Sequence, residues 1–347
     1  MEAQRSQPSP KVESAIPSPP WVLPPAGMGG PFLVLEHWHE IIIRPRIFHL
    51  IRCAALDFRP ANRGPALRIR ELVRLNPDHP GFHDPTYRER RNVIAGIALD
   101  YRTGDPVPRA HYTEEEHGVW RQISQLLEPL HQRFVCRPLV EQIKGFPLDR
   151  EQVPQLVDLN SRLSAATGFR MEPVGGLVAA RSFLEALGRG VFLSTQYIRH
   201  HSRPLYTPEP DIVHELIGHT ATLAHPRIAA VSRAFGRAVE LADDEQAERI
   251  ERVYWYTLEF GLVEENGQAR AFGAGLLSSA GELAQINEDP ALLEWDLDAI
   301  AETPYDPTRM QPHLFVAPSF DRMLDDLEAW LLTEQWMGRG AGVAKTA

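Results

Sequence analysis

The chain of 347 residues predicts a mostly helical fold that contains only a few short β-strands. Apolar residues recur at three- and four-residue intervals in several stretches, for example at Val153, Leu156, Leu159 and Leu163. This period is typical of an amphipathic helix. Strand-like and helix-like stretches do not alternate along the chain, which argues against a doubly wound parallel sheet.

Charged residues and glycines mark the ends of the helices in the first half of the chain. Three consecutive acids begin at Glu114, where the helix dipole favours negative charge. Gly168 and Gly188 follow the last periodic residues of two further stretches, as glycine does after many helices. The helices expected here cover residues 87–101, 114–133, 149–166 and 181–187.

Capping residues or a proline mark the helix starts in the second half. These are Asp211 for a helix to residue 223, His225-Pro226, Asp243-Asp244 for a helix to residue 260, and Ser319 for the last amphipathic helix. The turn residues Glu265-Asn266-Gly267 predict a hairpin whose second strand covers residues 269–275.

The length exceeds the ~250–300 residues at which a single core usually stops growing, so we expect either two domains or one large domain with appendages. Residues 1–31 contain eight of the thirty prolines and are expected to be a disordered tail. Residues 32–77 form an N-terminal extension whose structure the pattern does not define. We expect one folded domain over residues 78–335 and a flexible tail over 336–347.

Composition and charge exclude several classes of protein. The formal net charge is −10, which gives no electrostatic reason to expect a nucleic acid or an anionic membrane as partner. No apolar run approaches the ~18 residues of a membrane span, and the N-terminus lacks the apolar region of a secretory signal. With only two cysteines, Cys53 and Cys136, we expect a protein of the reducing cytoplasm.

The densest polar cluster is the stretch PDIVHELIGH, which contains His214, Glu215 and His219. Zinc proteases use two histidines four residues apart on a helix, but these two are five apart. On a regular helix, five residues leave the side chains about 140° apart. The two imidazoles can converge only where the helix ends or forms a π-bulge, a distortion often found at functional sites, and Gly218 is the residue that could allow it. The alternative is two unrelated helix histidines.

A candidate third ligand lies in the stretch VYWYTLEFG, where Glu259 stands among apolar residues. Burying a carboxylate there is costly unless a cation or a metal accompanies it. A salt bridge to Arg252, on the same helical face, explains Glu259 equally well. Two histidines and one carboxylate would form the facial triad of non-haem iron(II) enzymes, which leaves open coordination positions.

Long motifs in a fixed order extend these signals to about 240 residues, from Asp78 to about Phe320. They resemble the catalytic domain of the pterin-dependent aromatic amino acid hydroxylases. The matching segments are DHPGFHDPTYRERR, VPQLVDLNSRL, TGFRMEPVGGL, STQYIRHHSRPLYTPEPDIVHELIGH, VYWYTLEFGLV and FGAGLLSSAGEL. The resemblance implies that residues 78–335 have the family's mostly helical catalytic-domain fold with an iron site in a central cleft. It also implies Fe(II) and a tetrahydropterin as cofactors and O₂ as co-substrate.

The resemblance assigns roles residue by residue. The implied iron ligands are His214, His219 and Glu259, and the implied catalytic residues are Glu215 and Trp255. The implied pterin site comprises Gly176, Leu177, Val178, Ala180, Phe183, Glu215 and Tyr254. The implied amino acid site comprises Arg199, Thr207, Asp211, Trp255, Gly275 and Ser278.

Several of these residues also have a structural interpretation. Glu215 could be a solvated helix residue, and Phe183 could be a core aromatic. Arg199 and Asp211 could form a surface ion pair worth little, and Ser278 could belong to a helix cap.

The resemblance favours L-phenylalanine, hydroxylated to tyrosine, as the reaction. Trp255 favours phenylalanine or tyrosine as substrate, and Pro307 occupies the position of an aspartate in tyrosine hydroxylases, whereas Phe272 favours tryptophan. Hydroxylation of tryptophan and hydroxylation at the meta carbon are the alternatives within the family. Two alternatives come from other functional classes, namely a zinc-dependent hydrolase and a non-catalytic metal-binding protein.

The resemblance also implies partners, which are the amino acid substrate and pterin-recycling enzymes. We expect a monomer or a dimer, because nothing after the Ser319 helix resembles the family's tetramerisation arm.

Overall fold

A computed structural model of the chain describes residues 75–205, 207–307, 309–333 and 336. The expected proline-rich tail, residues 1–31, and almost all of the expected extension over 32–77 lie outside the described residues, as do residues 337–347. Trp336 was expected to begin a flexible tail. It is 1% exposed and packs against Trp330, so the packed structure reaches at least one residue beyond that boundary.

Helices dominate the first half of the described chain, as the apolar periodicity predicts. They are α1 (Pro85–Asp100), α2 (Glu114–Phe134), α3 (Arg137–Gly145) and α4 (Leu156–Thr167). The Asp84 side chain accepts hydrogen bonds from two backbone N–H groups at the start of α1. Thr113 and Glu116 form a capping box at the start of α2, which satisfies N–H groups that the helix itself leaves free.

The helix expected over residues 149–166 begins later than its pattern predicts. The Asp149 carboxylate accepts hydrogen bonds from the backbone N–H groups of Glu151 and Gln152, which stabilises a turn instead of a helix. The amide of Gln155 exchanges two hydrogen bonds with the backbone of Ala110. These contacts hold residues 149–155 outside the helix, which starts at Leu156 and ends at Gly168 as expected.

A small parallel sheet follows. Strand β1 (Arg170–Pro173) pairs in parallel with β2 (Val191–Ser194), and α5 (Ala180–Gly188) connects them. Because the strands are parallel, their carboxyl ends lie at one edge of the sheet. The loop 174–179 and Thr195 therefore lie side by side, and Val174 N–H donates to the Ser194 carbonyl at 2.9 Å.

Two helices in the middle of the chain contain π-helical segments. The helix over residues 212–223 consists mainly of π1 (His214–Thr220) and ends in a short α6 (Ala221–Leu223). After α7 (Pro226–Leu241), helix α8 (Asp244–Tyr254) continues directly into π2 (Trp255–Glu259). The helix starts expected at Asp211, at His225-Pro226 and at Asp243-Asp244 are confirmed. The last turns before residue 260, however, are π-helical.

A four-stranded sheet with short helices makes up the last part. Its strands are β3 (Leu262–Glu265), β4 (Gln268–Ala271), β5 (Ala291–Glu294) and β6 (His313–Ala317), in the order β4-β3-β6-β5. The helices are α9 (Ala274–Ser278), α10 (Ala280–Gln285), α11 (Leu297–Glu302) and α12 (Phe320–Leu331). The expected hairpin is present, with Asn266 and Gly267 at positive φ. The expected strand 269–275 is wrong beyond Ala271, because α9 begins at Ala274.

One hydrophobic core extends through the helices and both sheets. Its largest fully buried side chains include Trp120, Tyr197, Phe235, Tyr256 and Phe272. The mostly helical fold with a few short strands is thus confirmed. None of the described helices is both long enough and apolar enough to cross a membrane.

Candidate metal centre and adjoining pockets

Three side chains from the two π-helical segments converge on one point. His219 Nε2 lies 3.1 Å from His214 Nε2 and 3.0 Å from Glu259 Oε1, and His214 Nε2 lies 3.5 Å from Glu259 Oε2. Metal–ligand bonds of about 2.1 Å at right angles place neighbouring donor atoms about 3 Å apart. The two nitrogens and the carboxylate are therefore close enough to occupy one face around a divalent metal, and the residues are the predicted set.

Segment π1 explains why histidines five residues apart can share a ligand. A π-helix bonds residue i to residue i+5, so His214 and His219 lie on the same side of it. The predicted local distortion is therefore present, although Gly218 has a different role in it from the one expected. A Cβ at Gly218 would lie 2.6 Å from the carbonyl oxygen of Ala274, so glycine allows α9 to pack closely against π1.

The contacts of Glu259 exclude the salt bridge to Arg252. Arg252 pairs with Glu248 at 3.4 Å and donates to the carbonyl of Ala301. Glu259 is 7% exposed and is contacted by both histidines and the hydroxyl of Tyr254. Its partners are therefore members of the metal cluster.

Electrostatics and hydrogen bonding prepare these side chains to bind a cation. Burial lowers the pKa of His214 to about 4, which keeps its imidazole neutral. Burial also lowers the pKa of His219, but the adjacent Glu259 carboxylate outweighs burial and raises it. The pKa of Glu259 falls to about 2 although burial opposes this, because the histidines and Tyr254 favour its anion.

The hydroxyl of Ser278 fixes the orientation of the His214 ring. Ser278 donates to the carbonyls of Ala274 and Gly275, so its oxygen accepts from His214 Nδ1–H at 3.0 Å. This tautomer leaves the lone pair on Nε2 directed at the cluster. Metal-binding histidines usually have such a partner on the other ring nitrogen. A divalent metal therefore suits these donors.

Glu215 lies beside the cluster and is buried, which contradicts the interpretation as a solvated residue. Its carboxylate accepts hydrogen bonds from the N–H and the hydroxyl of Thr195, at 3.1 and 3.0 Å. Burial raises the pKa of Glu215 to about 7. Thr195 directly follows β2, so Glu215 faces the sheet edge at which loop 174–179 also lies.

The predicted pterin residues lie at this sheet edge and on the adjacent helix. Gly176, Leu177 and Val178 belong to loop 174–179, where Leu177 is 72% exposed, and Ala180 begins α5. The partly buried ring of Phe183 is 5.7 Å from that of Tyr254, and the Tyr254 hydroxyl in turn contacts Glu259. This series of contacts connects the loop and α5 to the metal cluster.

Arg199 and Asp211 form a buried pair, which contradicts the interpretation as a surface ion pair. Arg199 Nε and Nη2 donate to the two oxygens of Asp211 at 2.9 and 2.7 Å, and Asp211 is fully buried. Burial opposes the charge on Asp211, but Arg199 outweighs burial and lowers the pKa of the carboxyl group. Nη1 lies on the other edge of the guanidinium, 3.4 Å from the carbonyl of Pro204. Asp211 also accepts from the backbone N–H of His214, so the pair adjoins the metal cluster.

Aromatic rings are also grouped around π2. Trp255 is partly buried, and its ring centroid is 4.7 Å from that of Phe260. A Cβ at Gly275 would lie 2.6 Å from the Phe260 ring, so glycine makes room for this ring. Sequence reasoning missed Phe260, although it directly follows the metal-ligand candidate Glu259. The hydroxyl of Thr207 is used within its own loop, where it donates to the carbonyl of Glu209.

Phe272, whose identity favours tryptophan as substrate, is a residue of the core. It is 1% exposed, packs against Phe320 and lines a small cavity together with His219 and Tyr254. His214 and Glu259 do not line this cavity, so Phe272 belongs to the core behind His219.

The chain is also similar in sequence to known proteins. The chain is 41% identical over 305 residues to tyrosine 3-monooxygenase of Canis lupus familiaris, covering 82% of this chain and 61% of that protein. It is 44% identical over 266 residues to phenylalanine-4-hydroxylase of Mus musculus, covering 75% of this chain and 58% of that protein. The chain thus spans about three fifths of the length of these curated relatives.

Solved bacterial structures have the same fold. One is phenylalanine hydroxylase of Chromobacterium violaceum with bound iron(III) and 7,8-dihydrobiopterin, at 32% identity and a TM-score of 0.59, covering 64% of this chain and 82% of that one. Another is the enzyme of Legionella pneumophila, at 28% identity and a TM-score of 0.60, covering 65% and 90%. The family model of the biopterin-dependent aromatic amino acid hydroxylases matches residues 69–337. The chain therefore belongs to the family of biopterin-dependent aromatic amino acid hydroxylases.

Proposed function

We propose that this protein is a mono-oxygenase that hydroxylates L-phenylalanine to tyrosine with Fe(II), O₂ and a tetrahydropterin. The observation that carries the proposal is the convergence of two histidine nitrogens and one carboxylate within 3.0–3.5 Å, beside a buried arginine. His214, His219 and Glu259 would hold the iron. When bound, iron with the pterin supplies the activation of O₂ that no amino acid side chain supplies.

Arg199 would bind the carboxylate of the substrate. Two of its nitrogens are held by Asp211, so the orientation of the remaining edge is fixed before substrate arrives. A guanidinium held in this way binds a carboxylate through parallel hydrogen bonds. Trp255 and Phe260 would form the apolar wall against the substrate ring, and Thr207, Gly275 and Ser278 would complete this pocket.

The pterin would lie between loop 174–179 and the metal cluster. Phe183 offers an aromatic ring for stacking, and Tyr254 connects that ring to Glu259. Glu215 is a buried acid that is hydrogen-bonded to Thr195 at the same sheet edge, and it would bind a polar edge of the pterin. The oxidised pterin needs a reducing enzyme to recycle it, and we expect such an enzyme as a partner.

Phenylalanine is favoured over the other two amino acids by two local features. Pro307 carries no polar group with which to bind a phenolic hydroxyl of tyrosine. Trp255 favours phenylalanine or tyrosine over tryptophan, whereas Phe272, the residue that favours tryptophan, is 1% exposed.

The proposal is tested by metal analysis and product analysis of the purified protein. We expect about one iron per chain, oxygen consumption that requires both a tetrahydropterin and phenylalanine, and tyrosine as the product. Parallel incubations with tyrosine and tryptophan measure the preference, and chromatography separates para- from meta-hydroxylated products. Zinc in place of iron, with hydrolysis and no pterin-dependent oxygen uptake, would instead support the hydrolase alternative. Bound metal without any turnover would support a non-catalytic metal-binding protein.

A further inference from the structure

The indole of Trp255 is held by three neighbours. Tyr305 stacks on it with ring centroids 4.3 Å apart and an interplanar angle of 16°, and Phe260 packs against it at 4.7 Å. At the edge of the ring, Trp255 Nε1–H donates to Oε1 of Gln311 at 3.1 Å. The contacts with these two rings restrain the plane of the indole. The hydrogen bond restrains the rotation of the indole within that plane.

Gln311 is a buried amide, 7% exposed, whose polar groups are all used. Its Nε2 donates to the carbonyls of Asp306 and Arg309, at 3.2 and 2.8 Å. Its backbone N–H donates to the Glu282 carboxylate at 3.3 Å. A buried amide must be satisfied in this way because an unpaired polar group is costly away from water. Gln311 thus ties π2 and the loop before β6 together through its side chain, and it binds α10 through its backbone N–H.

We propose that Gln311 is a positioning residue for the substrate ring, acting through Trp255 and Phe260. This inference rests on the proposed function, in which these two rings form the wall of the substrate pocket. Phe260 directly follows Glu259, and Gly275 leaves space for its ring. In that arrangement, a rotation of the indole would displace the wall of the substrate pocket. Sequence reasoning did not identify Gln311, because it lies 56 residues from Trp255.

Tyr305 supports the same arrangement from the outer face of the indole. Its hydroxyl donates to the carboxylate of Glu251, one helical turn before Trp255. Tyr256, the neighbour of Trp255, donates from its hydroxyl to the carbonyl of Pro304 at 2.8 Å. The loop is thus attached to α8 and π2 at several points, and Gln311 is the one among these residues that contacts the indole N–H.

The test compares Gln311→Met with the conservative Gln311→Glu. Methionine has the same length but no hydrogen-bonding amide, whereas glutamate keeps an acceptor oxygen for the indole. Gln155→Leu is the matched control, because Gln155 also bridges two chain segments by its amide but far along the chain from π2. The readouts are the ¹⁹F NMR signal of Trp255 in 5-fluorotryptophan-labelled protein, the melting temperature, and KM and kcat for phenylalanine. Trp255→Phe identifies the signal by its disappearance.

We expect Gln311→Met to shift or broaden the Trp255 signal and to raise the phenylalanine KM about fivefold, the effect of losing one buried hydrogen bond. Gln311→Glu keeps the acceptor for the indole but loses the donor to the carbonyls of Asp306 and Arg309. It should therefore lower the melting temperature but keep the Trp255 signal and the KM closer to wild type than Gln311→Met does. Gln155→Leu should lower the melting temperature only. In a double-mutant cycle, Gln311→Met should add little to the KM of Trp255→Phe, because both variants remove the same contact. Should Gln311→Met not fold, Gln311→Asn, which is too short to reach the indole, is measured in its place.

An unmoved Trp255 signal with unchanged KM, or additive effects in the cycle, would overturn the inference and leave Gln311 as a loop contact only. Absence of hydroxylation in the wild-type protein would instead contradict the proposed function. The ¹⁹F NMR measurement would still report on the contact between Gln311 and Trp255, because it does not depend on catalysis.

Discussion

The side chain of Tyr254 lies against the carboxylate of Glu259, five residues further along the chain, and lowers the pKa of that carboxyl group. His214 and His219 are also five residues apart, and their Nε2 atoms lie 3.1 Å from each other. Each pair spans a π-helical segment, in which residues i and i+5 lie one above the other. The metal cluster is therefore assembled from two π-helical segments. Segment π1 contributes both histidines, and π2 contributes the carboxylate of Glu259, while Tyr254 is the last residue of α8, directly before π2.

Removal of any one ligand should abolish metal binding. We expect His214→Ala, His219→Ala and Glu259→Ala each to lose most bound iron and essentially all pterin-dependent turnover, because a facial site has no spare protein ligand. Ser278→Ala, which removes only the partner of His214 Nδ1, should weaken metal affinity by about 10- to 100-fold. Elemental analysis and metal titration of the purified variants measure both effects. Near-native iron content in Glu259→Ala would contradict the ligand assignment.

Gly218→Ala should destabilise the protein and weaken metal binding together. The new Cβ would lie 2.6 Å from the Ala274 carbonyl oxygen, so α9 and π1 have to move apart. Overpacking of this kind typically costs about 1–3 kcal/mol of the free energy of unfolding. Gly118→Ala in α2 is the control, since its nearest atom would be 3.8 Å away. Thermal unfolding and metal titration of both variants check the prediction, and equal behaviour of the two would refute it.

Arg199→Lys should weaken binding of the amino acid but not of the metal. Lysine keeps the charge but loses the planar pair of donors, and a charge-assisted hydrogen bond is worth about 1.5–3 kcal/mol. The phenylalanine KM should therefore rise about tenfold or more, while iron content and the pterin KM change little. Asp211→Asn should show a milder form of the same pattern. An unchanged phenylalanine KM with poor pterin binding would place Arg199 on the cofactor side.

Acid destabilisation should depend on His79. Burial, followed by the nearby Arg91 guanidinium, lowers the pKa of His79 from 6.5 to about 4. Its Nδ1 also accepts the Gly81 N–H at 2.9 Å, a bond that protonation of Nδ1 would break. Below pH 6.5 the unfolded chain takes up a proton that the folded chain refuses, so stability is full above pH 6.5 and falls towards pH 4, by at most about 3 kcal/mol.

His79→Asn should make unfolding less dependent on pH in this window. Asparagine can accept the same backbone N–H but does not titrate. Melting temperatures measured from pH 7.5 to pH 4.5 should fall less steeply in the variant than in the wild-type protein. Parallel curves for the two proteins would show that His79 does not contribute to the acid response.

Features that depend on neighbouring residues could be predicted from the amino-acid sequence alone. The starts of α2, α7, α8 and α12, the hairpin at Asn266-Gly267 and the end of α4 at Gly168 all follow from caps and turns within one helical turn. The two imidazoles of His214 and His219, five residues apart, could converge only on a distorted helix, and π1 confirms this prediction. These predictions succeeded because capping, turn conformation and helical period are local properties of the chain.

Features that join distant segments could not be predicted in this way and became visible in the folded structure. The choice of Glu259 between Arg252 and the histidines, the close contact of Gly218 with Ala274, and the bond from Trp255 to Gln311 all depend on packing between separate elements. Residues 149–155 are also not helical, although their sequence pattern predicts a helix, because the amide of Gln155 is hydrogen-bonded to the backbone of Ala110. The physical reason is that a π-helix, a buried carboxylate and a buried amide are each unfavourable alone. Each is stable here because residues far along the chain supply its partner.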